Sequence, residues 1–221
     1  MLKELEIFKG SKNSKIDFMI ELIEEFLYKN ERISDKRWEK KDVTYWYNER
    51  TLLGLLAGTI WQNGGIVLEE YSSVKEERGE KYAGRTDFYF EIGFAKDNLK
   101  CIIEAKWLYP ILAFNNHEDN FNKIKVTHEE ALNNCLQSYD KTVNYHFAMT
   151  FVLPKISKSK KDEMSKLISD HASMIKDHKI CDQLYCWFPE AFRNFPDKKY
   201  YPTYNYYYPG LIILLSQYVL E

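Results

Sequence analysis

Apolar positions along the chain recur with two different periods, and the changes of period mark out its elements. Ile16, Met19, Ile20, Ile23, Phe26 and Leu27 follow one another at three- and four-residue steps, the single stripe of an amphipathic helix. Ser14, with Asp17 three residues on, resembles a capping box at its start. A charged stretch over 30–42 separates this helix from a second one over 44–62. Leu52, Leu53, Leu56 and Ile60 form the buried face of that second helix, which stops at Asn63-Gly64-Gly65. Glu49 lies four before Leu53 and seven before Leu56, so a carboxylate shares the buried face, an unusual placement.

The period then shortens to two. Residues 66–74, 86–92 and 100–107 are predicted strands, with a charged turn over 75–81 after the first. In the second strand Thr86, Phe88, Phe90 and Ile92 face one way, and Asp87, Tyr89 and Glu91 the other. In the third, Cys101, Ile103, Ala105 and Trp107 oppose Ile102, Glu104 and Lys106. An irregular polar stretch over 109–126 leads to Thr127 and Glu130, a second capping box, which opens a predicted helix over 127–143. The apolar run 146–153 has strand length and is closed by Pro154; a helix over 160–177 and a strand over 183–188 follow. The order helix, three strands, helix, strand, helix, strand predicts an α/β domain.

Composition narrows the class. The 221 residues, 45% hydrophobic and 29% charged, suit one domain with a real core and exclude a disordered chain. The 31 basic and 33 acidic residues leave a net charge of −2, so no global positive field exists, and a nucleic-acid contact must come from a local patch. No apolar run reaches the ~20 residues of a membrane helix. The opening MLKELEIFKG carries acids where a signal peptide keeps a basic and then apolar stretch, and four Cys make no disulfide framework. The expectation is a cytoplasmic protein with reduced thiols.

The chemistry concentrates on the third strand. Glu104 and Lys106, two apart, project from one face of a segment that is otherwise apolar, and unpaired charge there costs several kcal/mol. Asp87, in the middle of the neighbouring strand, is placed to present its carboxylate to the same spot. Two converging carboxylates repel unless a divalent cation sits between them, and hard oxygen ligands favour Mg²⁺. The lysine is suited to position and deprotonate a water attacking a phosphodiester, with the metal neutralising charge on the phosphate.

Asp87, then Glu104-Ala105-Lys106, within helix–strand–strand–strand–helix–strand, resembles the PD-(D/E)xK nuclease superfamily. The resemblance covers residues 44–153. It implies a restriction-endonuclease-like αβββαβ core, a mixed central sheet flanked by helices, with extra N- and C-terminal elements. It assigns metal binding to Asp87, Glu104 and the carbonyl of Ala105, water activation to Lys106, and an assisting glutamate on the preceding helix to Glu49. Thr86 stands where the family's name has proline. Gln137 is followed four later by Lys141 and not tyrosine, so no subgroup is assigned. Other acid-x-Lys triplets, at Glu39/Lys41, Asp177/Lys179 and Asp197/Lys199, lack the strand context.

The reading is then one domain over 1–221: a helical N-terminal extension over 1–43, a nuclease core over 44–153, and helix and strand additions over 154–221. The expected activity is Mg²⁺-dependent hydrolysis of phosphodiester bonds in DNA, endonucleolytic, with Mn²⁺ substituting for Mg²⁺. DNA is preferred to RNA as partner, and a homodimer or a partner subunit lets both strands be cut. The alternative is a catalytically inactive nuclease-like fold that binds nucleic acid or protein. Each residue also has a plain structural reading: Glu104 and Lys106 as an ion pair on an exposed edge, Asp87 as a solvated strand residue, Glu49 as a first-turn acid favoured by the helix dipole. Arg85 suits a phosphate or a bare surface, and Gln137 the site or a solvated helix face. Lys155, Lys158, Lys160, Lys161 and Lys166 suit a nucleic-acid backbone or a solvated helix face. The aromatic stretch 200–208 suits base stacking, core covering or dimer closure. The spacings of His171, His178, Cys181 and Cys186 match no zinc pattern.

Overall fold

The computed structural model describes residues 5–9, 17–34, 44, 47–94, 97–113, 116–138, 140, 142–188 and 206–218. In chain order these form β1 (Leu5–Lys9), α1 (Asp17–Ser34), α2 (Glu49–Gln62), β2 (Ile66–Glu77), β3 (Glu80–Phe94), β4 (Asp97–Leu108), β5 (Ile111–Leu112) and α3 (His117–Gln137). They continue as β6 (Tyr145–Val152), β7 (Lys155–Ser157), α4 (Met164–Asp177), β8 (Gln183–Trp187), β9 (Tyr206–Tyr207) and β10 (Leu211–Tyr218).

The protein is α/β, with a mixed sheet flanked by helices. Seven strands lie in the order β1-β8-β10-β6-β4-β3-β2, and a second small sheet holds β5-β7-β9. Every neighbouring pair in the large sheet is antiparallel except β4 and β6, which α3 connects and which run parallel. Alternation along the strands divides the core between the two faces. Phe88, Phe90, Ile103, Ala105, Phe147 and Met149 pack against Met19, Ile23 and Phe26 of α1 and Leu52, Leu56 and Ile60 of α2. Val152, Leu184, Ile212 and Leu214 pack on the other side against Phe121 and Ile124 of α3 and Ala172 and Ile175 of α4. Full burial of each of the larger side chains among these contributes about 1.5–3 kcal/mol. Among the described residues no helix is long and apolar enough to cross a membrane.

The expected helical extension over 1–43 also contains β1, which pairs with β8, and the helix expected over 160–177 begins at Met164, after a 3₁₀ stretch over Lys158–Glu163. Three further boundaries differ for a plain physical reason. The helix expected over 44–62 begins at Glu49, because Asn48 caps it: its side chain accepts the Thr51 N–H at 2.9 Å. The helix expected over 127–143 is α3, which begins ten residues earlier and ends at Gln137. Its buried stripe is Phe121, Ile124, His128, Ala131 and Cys135, at three- and four-residue steps. The buried histidine hides that stripe from an apolar count, and Thr127 sits inside the helix instead of capping it. The charged turn expected over 75–81 is the tip of a long hairpin. β2 runs on to Glu77 and β3 starts at Glu80, and Arg78 (φ +53) with Gly79 (φ +83) makes the two-residue turn between them. Two consecutive positive φ values match the right-handed twist of such a ribbon. Ser14 and residues 35–43 lie outside the described residues.

Candidate active site

The large sheet divides at Asp87 and Glu104. β3 and β4 pair continuously from Phe94↔Asp97 to Phe88↔Ile103 and no further. Beyond that point β4 stays with β6 as far as Leu108↔Val152, while β3 leaves with β2 as a two-stranded ribbon. Continued, the antiparallel register would set Glu104 opposite Asp87 and then Ala105 opposite Thr86. Instead the Ala105 N–H donates to Asp87 Oδ2 at 2.9 Å, so a side-chain carboxylate takes over the acceptor's place in the ladder. In a strand the N–H and C=O of one residue point the same way, so the Ala105 carbonyl also faces the opening from which β3 has withdrawn.

Four residues picked out from the sequence meet at this fork. Asp87 is half-buried on β3, and Glu104, 1% exposed, and half-buried Lys106 sit on β4. Glu49 reaches the same place, half-buried, from the first turn of α2. Burial pushes its carboxyl up to about 7, Asp87 and Glu104 push in the same direction, and Lys106 and Arg50 oppose them. Burial likewise raises the Glu104 carboxyl, with Asp87 adding repulsion and Ser138 and Lys75 opposing. Glu104 is therefore not part of an exposed edge pair.

The sequence reading missed the partners of Glu104. Its Oε1 accepts from Lys75 Nζ at 3.0 Å and from the Ser138 hydroxyl at the end of α3. Lys75 is 8% exposed while its neighbour Val74 is 61% exposed, the reverse of what their polarity predicts. Twist explains the geometry. At its base the ribbon turns Val67, Phe88 and Phe90 toward α2; at its tip the same alternation face carries Lys75 and Tyr82 to Glu104 and Gln137. Two-stranded ribbons twist more strongly than wide sheets. Tyr82 Oη donates to Gln137 Oε1 at 3.0 Å, so Gln137 anchors the tip.

The ribbon is distorted beside the fork. β2–β3 pairing keeps one register from Ile66↔Glu91 to Glu77↔Glu80, but lapses at Glu70 and Asp87. Glu70 holds φ +48, a left-handed conformation that costs a non-glycine residue about 1–2 kcal/mol. Its carboxylate takes Arg50 at 2.7 Å and Arg85 at 3.4 Å, both arginine side chains being well exposed. Past Lys106, a cleft of about 390 Å³ opens between the end of β4 and α3, lined by Leu108, Tyr109, Asn116, Asn120, Lys123 and Thr127.

The remaining candidates lie elsewhere. Lys160 is paired with Glu163 at 2.8 Å, and Lys155 lies over the rings of Tyr109 and Tyr208, so the basic cluster is partly spent on internal contacts. Residues 200–205 of the aromatic stretch lie outside the described residues, and Tyr206–Tyr207 pairs with β7. Among the described residues no group of three or more His, Cys, Asp or Glu stands close enough to hold a metal ion. No protein-family model, curated protein or solved structure matches the chain.

Proposed function

We propose that this protein is a metal-dependent nuclease that hydrolyses phosphodiester bonds in DNA, built on a restriction-endonuclease-like core. The observation that carries the reading is the fork in the sheet. Two carboxylates, a lysine and a backbone carbonyl collect where β3 and β4 part, and Glu49, raised chiefly by burial, also feels the charges of Asp87, Lys106 and Glu104. The donor set fits Mg²⁺ or Mn²⁺ in kind. Magnesium keeps several waters and takes one or two protein carboxylates, so Asp87, Glu104 and the Ala105 carbonyl suffice without a third acid. Bound there, the cation would neutralise charge on the phosphate and acidify a water.

The chain's own groups supply the rest. Lys106, on the same strand face as Glu104, positions and deprotonates the attacking water. Glu49 adds negative charge from the helix side. Arg50 and Arg85, exposed beside the fork, offer cations to the phosphate backbone, and the cleft beyond Lys106 offers room for a nucleotide next to the scissile bond. Cutting both strands of a duplex calls for a homodimer or a partner subunit.

A second reading has one observation in its favour: Lys75 already neutralises Glu104, as in an inactive fold that binds nucleic acid or protein. Supercoiled plasmid, incubated with the protein and Mg²⁺ or Mn²⁺ beside an EDTA control, separates the two. The site variants should be Glu104→Gln and Lys106→Ala. Glu104→Gln keeps an oxygen that can accept from Lys75 and Ser138, whereas Glu104→Ala would leave both buried donors without an acceptor. Nicking that needs the metal and both side chains supports the nuclease; metal-independent binding without cutting supports the second reading.

A further inference from the structure

Lys75 has no role in the chemistry above, yet it is the most buried lysine at the fork. Its aliphatic stem runs over Gly84 on the facing strand, and this glycine is what makes room for it. A Cβ at Gly84 would lie 2.8 Å from Lys75 Cγ and 2.9 Å from Cδ. The ammonium ends 3.0 Å from Glu104 Oε1. The sequence thus carries a glycine notch, a buried lysine and a buried carboxylate from three different strands to one point.

The element that delivers Lys75 is held loosely. β2 is the edge strand of the large sheet, and β3 has lost β4 by this stage. Residues 76–83 at the tip are all exposed. Among the described residues, the side-chain hydrogen bonds that tie the tip to the rest of the fold include Lys75 to Glu104 and Tyr82 to Gln137. Segments with few buried contacts open at the low end of a protein's stability range.

Resting on the nuclease reading, we propose that Lys75 is a resident counter-ion of Glu104 that gives way when a divalent cation binds, so that the hairpin tip and the metal compete for one carboxylate. A buried carboxylate needs a compensating positive charge, which Lys75 supplies in the absence of metal. A dication on the same carboxylate provides that charge and repels the ammonium, strongly so in a water-poor site. The released lysine then stands at the mouth of the fork, where an anionic backbone would approach.

Two measurements on the full chain test this. In the first, lysines are acetylated with an amine-reactive ester and quantified by peptide mass spectrometry, with and without saturating Mn²⁺. Lys75 should react slowly without metal and about tenfold faster with it, given the charge repulsion at the shared carboxylate, while exposed Lys81 stays constant. In the second, Mn²⁺ binding is followed by calorimetry. Lys75→Met and Gly84→Ala should both bind Mn²⁺ about tenfold more tightly than the parent, since each takes the ammonium away from Glu104. Gly84→Ala keeps the lysine and displaces it, so it stands independently if Lys75→Met fails to fold. Asp87→Asn serves as the site control and should lose Mn²⁺ binding. Mn²⁺ binding that depends on Asp87, with Lys75 labelling unchanged and neither variant tighter, overturns the counter-ion role and leaves the nuclease reading standing. Absence of Asp87-dependent binding in the parent and both variants overturns both.

Discussion

Asp87 Oδ2 accepts the Ala105 N–H at 2.9 Å, across the point where β3 and β4 stop pairing. A side chain thereby closes a ladder that the backbone leaves open. The same bond fixes where the Asp87 carboxylate stands relative to Glu104, one residue along β4. Sheet topology and site geometry are joined in this one contact: without the fork the four side chains would have no common opening, and without the carboxylate the last N–H of the paired segment has no acceptor. Substitutions here separate a structural duty from a chemical one.

Asp87→Asn keeps an oxygen that can accept from Ala105 but removes the charge. Its unfolding free energy in urea should stay within about 1 kcal/mol of the parent, whereas Asp87→Ala, which strands a buried N–H, should lose about 1–3 kcal/mol. Both should lose metal-dependent plasmid cleavage. Cleavage retained by Asp87→Asn at parental rates would remove Asp87 from the metal site.

Lys106 carries no comparable structural duty, being half-buried at the mouth of the fork. Lys106→Ala should change stability by only about 0.5 kcal/mol. Cleavage by the variant should drop about a hundred- to ten-thousand-fold, the usual scale for loss of a positioned proton acceptor. Metal affinity measured by calorimetry should be kept, which distinguishes a water-activating group from a ligand.

How much of this was open to sequence reasoning follows from the range of each interaction. Asp87, Glu104 and Lys106 were legible because local alternation sets which face each occupies and because their strands are consecutive. Glu49 was legible from its spacing to Leu53 and Leu56 within one helix. Lys75 was not, since its partner lies 29 residues away and is reached only through the twist of the ribbon. Polarity even pointed the wrong way, toward burying Val74 and exposing Lys75. The start of α3 was hidden by His128, a polar residue in a buried stripe. β10, the eight-residue strand between β6 and β8, has no alternation to betray it, because burial on both faces makes Leu211 to Leu215 uniformly apolar.

Glu49 gives the fork a pH dependence. Its carboxyl ordinarily titrates at 4.5 and in the folded protein at about 7, raised first by burial and then by Asp87. The folded state holds a proton that the unfolded chain releases, so the contribution to stability is complete below pH 4.5 and is lost as pH rises through about 7. Glu104, shifted in the same direction, adds to the slope. Glu49→Gln cannot titrate, so its unfolding free energy should decline less steeply over that window. Parallel slopes in urea titrations would show that Glu49 does not sense its neighbours.

His128 acts with the opposite sign, from the far side of the sheet. It is 1% exposed, with Nδ1 on the Thr150 hydroxyl at 2.9 Å and Nε2 on the Ser216 hydroxyl at 2.9 Å, which ties α3 to β6 and β10. Burial lowers its titration from 6.5 to about 4. The unfolded chain binds the proton first, so the stability held above pH 6.5 is lost as pH falls toward 4. Between pH 4.5 and 6.5 the histidine and the two carboxyls therefore pull stability in opposite directions. His128→Ala should lower stability at neutral pH by about 2–5 kcal/mol, through a cavity and two hydroxyls left without partners. Across the acidic window the variant should then gain stability relative to the parent as pH falls, because it lacks the histidine whose protonation destabilises the parent. Urea titrations at both ends of that window read the slope directly; a difference between variant and parent that stays constant with pH would mean His128 is not held neutral by burial.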